Sequence, residues 1–181
     1  MENNVIICGS GGQGILLAGT VLCRAGLLED KFVTWLPSYG AEKRGGLSYC
    51  AVVISDKPIA SPVIGRPEVI IALDNIGFDN YENVLADKGL VILNSSLIKR
   101  EVKRKDAVVL GIEITEIARE LGNARIANML AIGVYAGISK SVKLESIIAA
   151  MEGVASEKYK ELVAVNKKAI EKGYELGKKE K

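Results

Sequence analysis

The chain has 181 residues, 49% of them hydrophobic and 25% charged, and its net charge is +2. That length and balance predict one globular domain spanning residues 1–181 and argue against disorder. Near-neutral charge and 5% aromatic content exclude the basic footprint and the stacking platforms of nucleic-acid binding.

Along the chain, Val5-Ile6-Ile7-Cys8 is a short apolar run ended by glycine, the pattern of a buried parallel strand. Residues 9–14 are a glycine-rich turn. Residues 15–28 carry Leu16, Leu17, Val21, Leu22, Ala25 and Leu28 on a broad apolar helical surface. Residues 31–36 are rich in β-branched and aromatic side chains and predict a second strand, stopped by Pro37. A loop over 38–46 leads to a strand over 47–55 and a turn at Asp56-Lys57-Pro58. Further strands are predicted over 69–73, 89–93 and 107–114, with short helices over 79–86 and 116–121. Residues 125–139 are apolar on nearly every side, which predicts a core helix. From Lys143 the pattern is helical, with Tyr159, Asn166, Ala169, Ile170 and Gly173 on one face, and the lysines after Lys178 predict a frayed tail. Strands alternating with helices predict an α/β fold with a mostly parallel, Rossmann-like sheet covered by helices on both faces.

Histidine is absent, which removes the commonest general base and most zinc sites. Cys8, Cys23 and Cys50 are scattered without a CxxC pair. They predict neither a disulfide framework nor the four thiolates of an iron–sulfur cluster, and are expected to be buried small hydrophobes. No catalytic side chain and no metal ligand is assigned on this chain. The basic cluster Lys99, Arg100, Lys103, Arg104 and Lys105, interleaved with Glu101 and Asp106, is expected to be a solvated loop. The polar start Met1-Glu2-Asn3-Asn4 has no signal-peptide pattern, and the longest apolar stretch, 126–138, is too short for a bilayer. A cytoplasmic protein without membrane contact is expected.

Gly9-Ser10-Gly11-Gly12-Gln13-Gly14 satisfies G-x-G-x-x-G between a predicted strand and a predicted helix. The first glycine permits the tight turn, the second lets a ligand approach the backbone, and the third lets helix and strand pack closely. Unpaired N–H groups at a helix start favour an anion. A dinucleotide site also needs an acid at the end of the second strand, and here that strand ends Trp35-Leu36-Pro37. Glu29 and Asp30 come too early. Four readings stay open: a phosphate-bearing ligand, a packed partner chain, a glycine turn needed only for packing, or NAD or FAD despite the missing acid.

The second loop, Pro37-Ser38-Tyr39-Gly40-Ala41-Glu42-Lys43-Arg44-Gly45-Gly46, is expected on the same carboxyl edge of the sheet, where ligands of open α/β sheets bind. Arg44 can grip a carboxylate or phosphate with two parallel hydrogen bonds, and Glu42 can orient it or pair across an interface. The candidate site is therefore Gly9, Gly11, Gly12, Gln13 and Gly14 together with Ser38, Tyr39, Glu42, Arg44, Gly45 and Gly46.

Taken together, the two loops resemble the gamma subunit of the 2-oxoacid:ferredoxin oxidoreductases. The resemblance continues through Val52-Val53-Ile54-Ser55-Asp56, Ser61-Pro62, Arg66-Pro67-Glu68-Val69 and the pair Asn128 and Gly133, to Asn166, Ala169 and Gly173. The second loop resembles the 2-oxoglutarate type more than the pyruvate type, although Ala41 stands where proline is common. The resemblance implies a component of a complex in which thiamine diphosphate adds to a 2-oxo acid, carbon dioxide leaves, and electrons pass through iron–sulfur clusters to ferredoxin. Coenzyme A, a co-substrate, takes the acyl group. It implies alpha and beta partner subunits, with a ferredoxin-like delta subunit as a further candidate, and these would bind the diphosphate, magnesium and clusters. The isolated chain is a candidate homodimer. The alternatives by class are a free-standing nucleotide-binding oxidoreductase and a structural adaptor without catalytic function.

Overall fold

In the computed structural model, which describes residues 2–40, 45–154 and 160–180, strand β1 (Glu2–Ser10) is central. Its side chains alternate between two cores. Val5 and Ile7 join the larger one with Val52, Ile54 and Ile71, while Ile6 and Cys8 join the smaller one with Ala51, Ile70 and Phe78. A strand buried on both faces has no reason to alternate in polarity, which is why it reads as a continuous apolar run.

Helix α1 (Ile15–Leu27) follows, then β2 (Phe32–Tyr39), β3 (Leu47–Ser55), β4 (Val69–Ala72), α2 (Asn75–Tyr81) and β5 (Leu90–Asn94). The remaining elements are β6 (Val108–Ile112), α3 (Ile114–Glu120), α4 (Ala127–Ser139), α5 (Leu144–Val154) and α6 (Lys160–Lys179). Among the described residues the strand order is β2-β3-β1-β4-β5-β6. The pairs β1–β4, β4–β5 and β5–β6 are parallel, whereas β3 runs antiparallel to both β1 and β2. The expected α/β sheet is present and mostly parallel, with β3 inserted as a hairpin partner between β1 and β2.

Several predicted boundaries are corrected. Pro37 does not stop β2, which continues to Tyr39. On an edge strand the nitrogen of a proline faces away from the sheet, so no ladder bond is lost. The helix expected over 79–86 begins earlier, at Asn75, because Asp74 caps it by accepting from Gly77 N at 3.1 Å. It tightens into a 3-10 turn over Glu82–Val84. The strand expected over 107–114 is shorter, and α3 already starts at Ile114. The core helix is preceded by a 3-10 turn, Ala124–Ile126. The helical region after Lys143 holds α5 and α6, and α6 ends at Lys179. Tyr159 lies outside the described residues.

The basic cluster is only partly solvated. Lys99, Lys103 and Lys105 are exposed, but Arg100 pairs with Asp79 at 2.6 Å and with the buried Glu82 at 2.9 Å, and stacks 4.4 Å over Phe78. Arg104 pairs with Asp106 at 2.8 Å and donates to Leu85 O at 2.7 Å. The two half-buried guanidiniums pin this segment to α2 and the turn after it. Among the described residues no helix is long and apolar enough to cross a membrane.

Cys8 and Cys50 are fully buried and Cys23 half-buried. Burial pushes the Cys50 thiol from 9.0 up to about 12, against hydrogen bonds from Trp35 and Gly19 that act the other way. Burial, reinforced by the nearby Asp74, also raises Cys8. The folded chain thus keeps protons that the unfolded chain releases, so these thiols cost stability as pH rises above about 9, by up to about 1.4 kcal/mol per pH unit each. The urea midpoint should fall from about pH 9 upward, and fall less steeply in Cys50→Ala. Equal slopes in both proteins would rule out this origin.

Candidate functional site

The carboxyl end of β1 delivers Ser10 into the glycine loop, and four hydrogen-bonded links hold the loop in shape. Gln13 folds back on it, its Oε1 accepting from Ser10 N at 2.8 Å while Gln13 N donates to Ser10 O at 3.2 Å. Ser10 Oγ donates to Asp74 Oδ2 across the gap between β1 and β4. Gly11 N donates to Gly46 O at 2.8 Å, and Asn128 Nδ2 at the start of α4 donates to Gly14 O at 2.9 Å. Gly14 is left-handed (φ 72°), and a Cβ there would overlap Asn128 Nδ2, so both conformation and space require glycine.

These links change the chemistry expected of the loop. Ser10 N and Gly11 N are already engaged within the protein, whereas the start of α1 has no side-chain cap on its first N–H groups. At the switch point between β1 and β4, where dinucleotides bind in open sheets, α2 packs tightly against the end of β1. Gly77 of that helix touches Gly9 so closely that a Cβ on it would overlap Gly9 N and lie 2.6 Å from the Cys8 carbonyl carbon. Glu29, one of the acids too early for a ribose, accepts instead from Lys143 N at 2.6 Å at the start of α5. Asp30 occupies a left-handed turn (φ 56°). The missing acid weighs against NAD or FAD.

The second loop meets the first at its root. Ser38 and Tyr39 end β2 opposite Tyr49 and Ser48 of β3, and Gly40 N donates to Leu47 O at 3.2 Å. Gly45 is left-handed (φ 78°) and Gly46 offers the carbonyl taken by Gly11. Gly9 to Gly14, Ser38, Tyr39, Gly45 and Gly46 are therefore assembled at one sheet edge. Glu42 and Arg44, with Ala41 and Lys43, lie outside the described residues.

Two groups at this edge escaped sequence reasoning. Tyr49 of β3 and Tyr81 at the end of α2 stack with ring centroids 4.9 Å apart, tilted by 55°. Hydrogen bonds from Ser38, and then from Tyr81, hold the Tyr49 phenol below its usual value, whereas burial raises Tyr81. Nothing in the local sequence links residues 38, 49 and 81. Their meeting follows from the β2–β3 register and the placement of α2. The other feature is a cavity of about 210 Å³ on the opposite side of β1, beside Gln13 and the ends of β4 and β5.

The chain matches the family described as pyruvate ferredoxin/flavodoxin oxidoreductase over residues 4–176, and it belongs to that family. It is 34% identical to the ketoisovalerate oxidoreductase subunit VorA of Methanothermobacter thermautotrophicus over 96% of its own length. It spans only about a third of that relative, 36%. The 2-oxoglutarate synthase subunit KorC of Methanocaldococcus jannaschii is 33% identical, and the match covers 98% of this chain and 95% of that one. Among solved structures, the gamma subunit of keto/oxoacid ferredoxin oxidoreductase from Geobacter sulfurreducens superposes with a TM-score of 0.83 at 27% identity, covering 98% of this chain and 99% of that one. The family resemblance drawn from the two loops and the α/β fold expected with it are both found.

Proposed function

We propose that this chain is the gamma-type component of a multi-subunit 2-oxoacid:ferredoxin oxidoreductase, with no turnover of its own. The observation that supports this reading most is the Gly11 N to Gly46 O bond of 2.8 Å, which makes one edge of the two loops. In this reading the glycine loop is a rigid brace. It commits Ser10 N, Gly11 N and Gln13 N to the protein, and Ser38, Tyr39, Glu42, Arg44, Gly45 and Gly46 are the residues offered to the partner subunits and the coenzyme A path. Arg44 supplies the cation that holds a carboxylate or phosphate at that junction.

The alpha and beta subunits, with a ferredoxin-like delta subunit, carry thiamine diphosphate, magnesium and the iron–sulfur clusters. Bound there, these groups supply the decarboxylation and the electron path to ferredoxin. The described residues do not fit a metal ion or an iron–sulfur cluster. Among the described residues no group of three His, Cys, Asp or Glu side chains is placed to hold a metal ion, and Cys8 and Cys50 are sealed in the core. We assign 2-oxoglutarate as the substrate of the complex, on the wording of residues 37–46 and 50–56.

Co-expression with the partner subunits should give thiamine- and coenzyme A-dependent viologen reduction, fastest with 2-oxoglutarate. Omitting this chain should abolish it. A complex that keeps its full rate without the chain overturns the subunit reading. A faster rate with pyruvate or 3-methyl-2-oxobutanoate overturns only the substrate.

A further inference from the structure

The cavity on the other side of the glycine loop has a chemistry of its own. In strand order it lies beyond β1 from the second loop, at the carboxyl edge of β4 and β5, the side of an α/β sheet on which small molecules bind. Its apolar surface comes from Leu73, Leu97, Ala124 and Ala127, and its polar surface from Gln13, Asn94, Thr115 and Arg125. None of the lining residues is acidic.

The hydrogen bonds already made decide which polar groups remain for a ligand. Asn94 is consumed: its Nδ2 donates to Leu73 O at 2.9 Å and Thr115 Oγ1 at 2.8 Å, and its Oδ1 accepts from Thr115 N. Gln13 spends Oε1 on Ser10 N, which orients the amide and leaves its NH₂ as a donor. Thr115 Oγ1 accepts from Asn94, so its hydroxyl hydrogen is left to donate. Arg125 makes no ion pair among the described residues, although its backbone N–H is held by Asn123 Oδ1 at 2.9 Å. The cavity is thus lined by one arginine and two side chains with a donor to spare, beside aliphatic residues.

We propose that this cavity binds a short-chain carboxylate, its two oxygens taken by Arg125 and the Gln13 amide and its aliphatic body lying on Leu73, Leu97 and Ala127. A cation meets no carboxylate there and is repelled by Arg125. Inorganic phosphate, with up to two charges, meets a single guanidinium and an apolar floor that cannot solvate its remaining oxygens. A volume of about 210 Å³ limits the ligand to a small acid. The inference is independent of the subunit reading, because it concerns binding by the chain alone.

Titrating the full ¹⁵N-labelled chain with propionate tests it. Saturable shifts at the N–H groups of Gly12, Gln13 and Thr115, with a Kd on the order of 1 mM, are expected for so few ligand atoms. Arg125→Gln should weaken binding by about tenfold, the loss of one charge-assisted contact. Ala124→Leu, which fills the mouth of the cavity, should abolish it. Arg119→Gln, an exposed arginine paired with Glu116, should leave it unchanged. No saturation, equal binding in Arg125→Gln and wild type, or inorganic phosphate binding at least as tightly as propionate would each overturn the proposal. Failure here leaves the subunit reading standing, and an inactive complex leaves this result standing.

Discussion

Gly173→Ala is expected to lower the stability of the chain by about 3 kcal/mol, the upper range for overpacking a tight core. The reason is how α4 and α6 meet. A Cβ on Gly173 would overlap Leu130 O and lie 2.9 Å from Val134 N. The same holds in reverse at Gly133, whose Cβ would overlap Ile170 O, and at Gly137 and Gly177 one turn further along. Two pairs of glycines, each four residues apart, bring the backbones of the helices into contact, and backbone atoms cannot swing aside as a flexible side chain does. Alanine in a helix interior gains about 1 kcal/mol over glycine, but steric overlap with backbone outweighs that gain here. Gly153 in α5 has nothing within 4 Å of the position of its Cβ, so Gly153→Ala should show the gain alone. Urea unfolding of the two variants separates the effects, and equal midpoints would refute the argument. The damage should also reach the site edge, since Asn128 on α4 holds Gly14 O.

Gly77→Ala is expected to cost a similar amount, about 3 kcal/mol, and to displace the glycine loop as well. The new methyl would overlap Gly9 N, 2.6 Å from the Cys8 carbonyl carbon and 2.8 Å from Gly9 Cα, all of them backbone in the central strand. Relief requires α2 to move off β1, which pulls Asp74, its capping residue, away from Ser10. Amide exchange at Ser10 and Gly11 should therefore rise beyond what the global destabilisation predicts, because their partners are Gln13 and Gly46. Gly65→Ala, which meets nothing within 4 Å, serves as the control. Native-like exchange at Ser10 and Gly11 in Gly77→Ala would show that α2 does not position the loop.

Much of the fold is legible in the chain because its cues are local. Residues 5–8, 69–72 and 90–93 sit in strands buried on both faces, and continuous apolar runs mark such strands directly. Helix α4 buries nearly all of its surface, and its uniform apolarity shows it. The misplaced boundaries are those set by partners distant in sequence. Whether a proline ends a strand depends on which of its edges is paired, and β2 became an edge strand only because β3 entered between it and β1. Whether α2 starts at Asn75 or Asp79 depends on a cap whose second oxygen is held by Ser10, 64 residues away.

The candidate site divides along the same line. By itself the sequence determined the family, the α/β class and the proximity of two loops at one sheet edge, because glycine spacing and strand order constrain the backbone through short-range sterics. It also excluded histidine chemistry and a cluster of thiolates on this chain, since composition alone decides those. Only the tertiary structure decided what the glycine loop's donors do. Ser10 N and Gly11 N are bound by Gln13 and Gly46 in the fold, partners that the motif itself does not specify. Likewise, G-x-G-x-x-G carries no sign that α2 packs against Gly9 or that Tyr49 meets both Tyr81 and Ser38. A motif specifies where backbone N–H groups point, but occupancy is a competition among all groups that reach them, and that is settled when distant segments pack together.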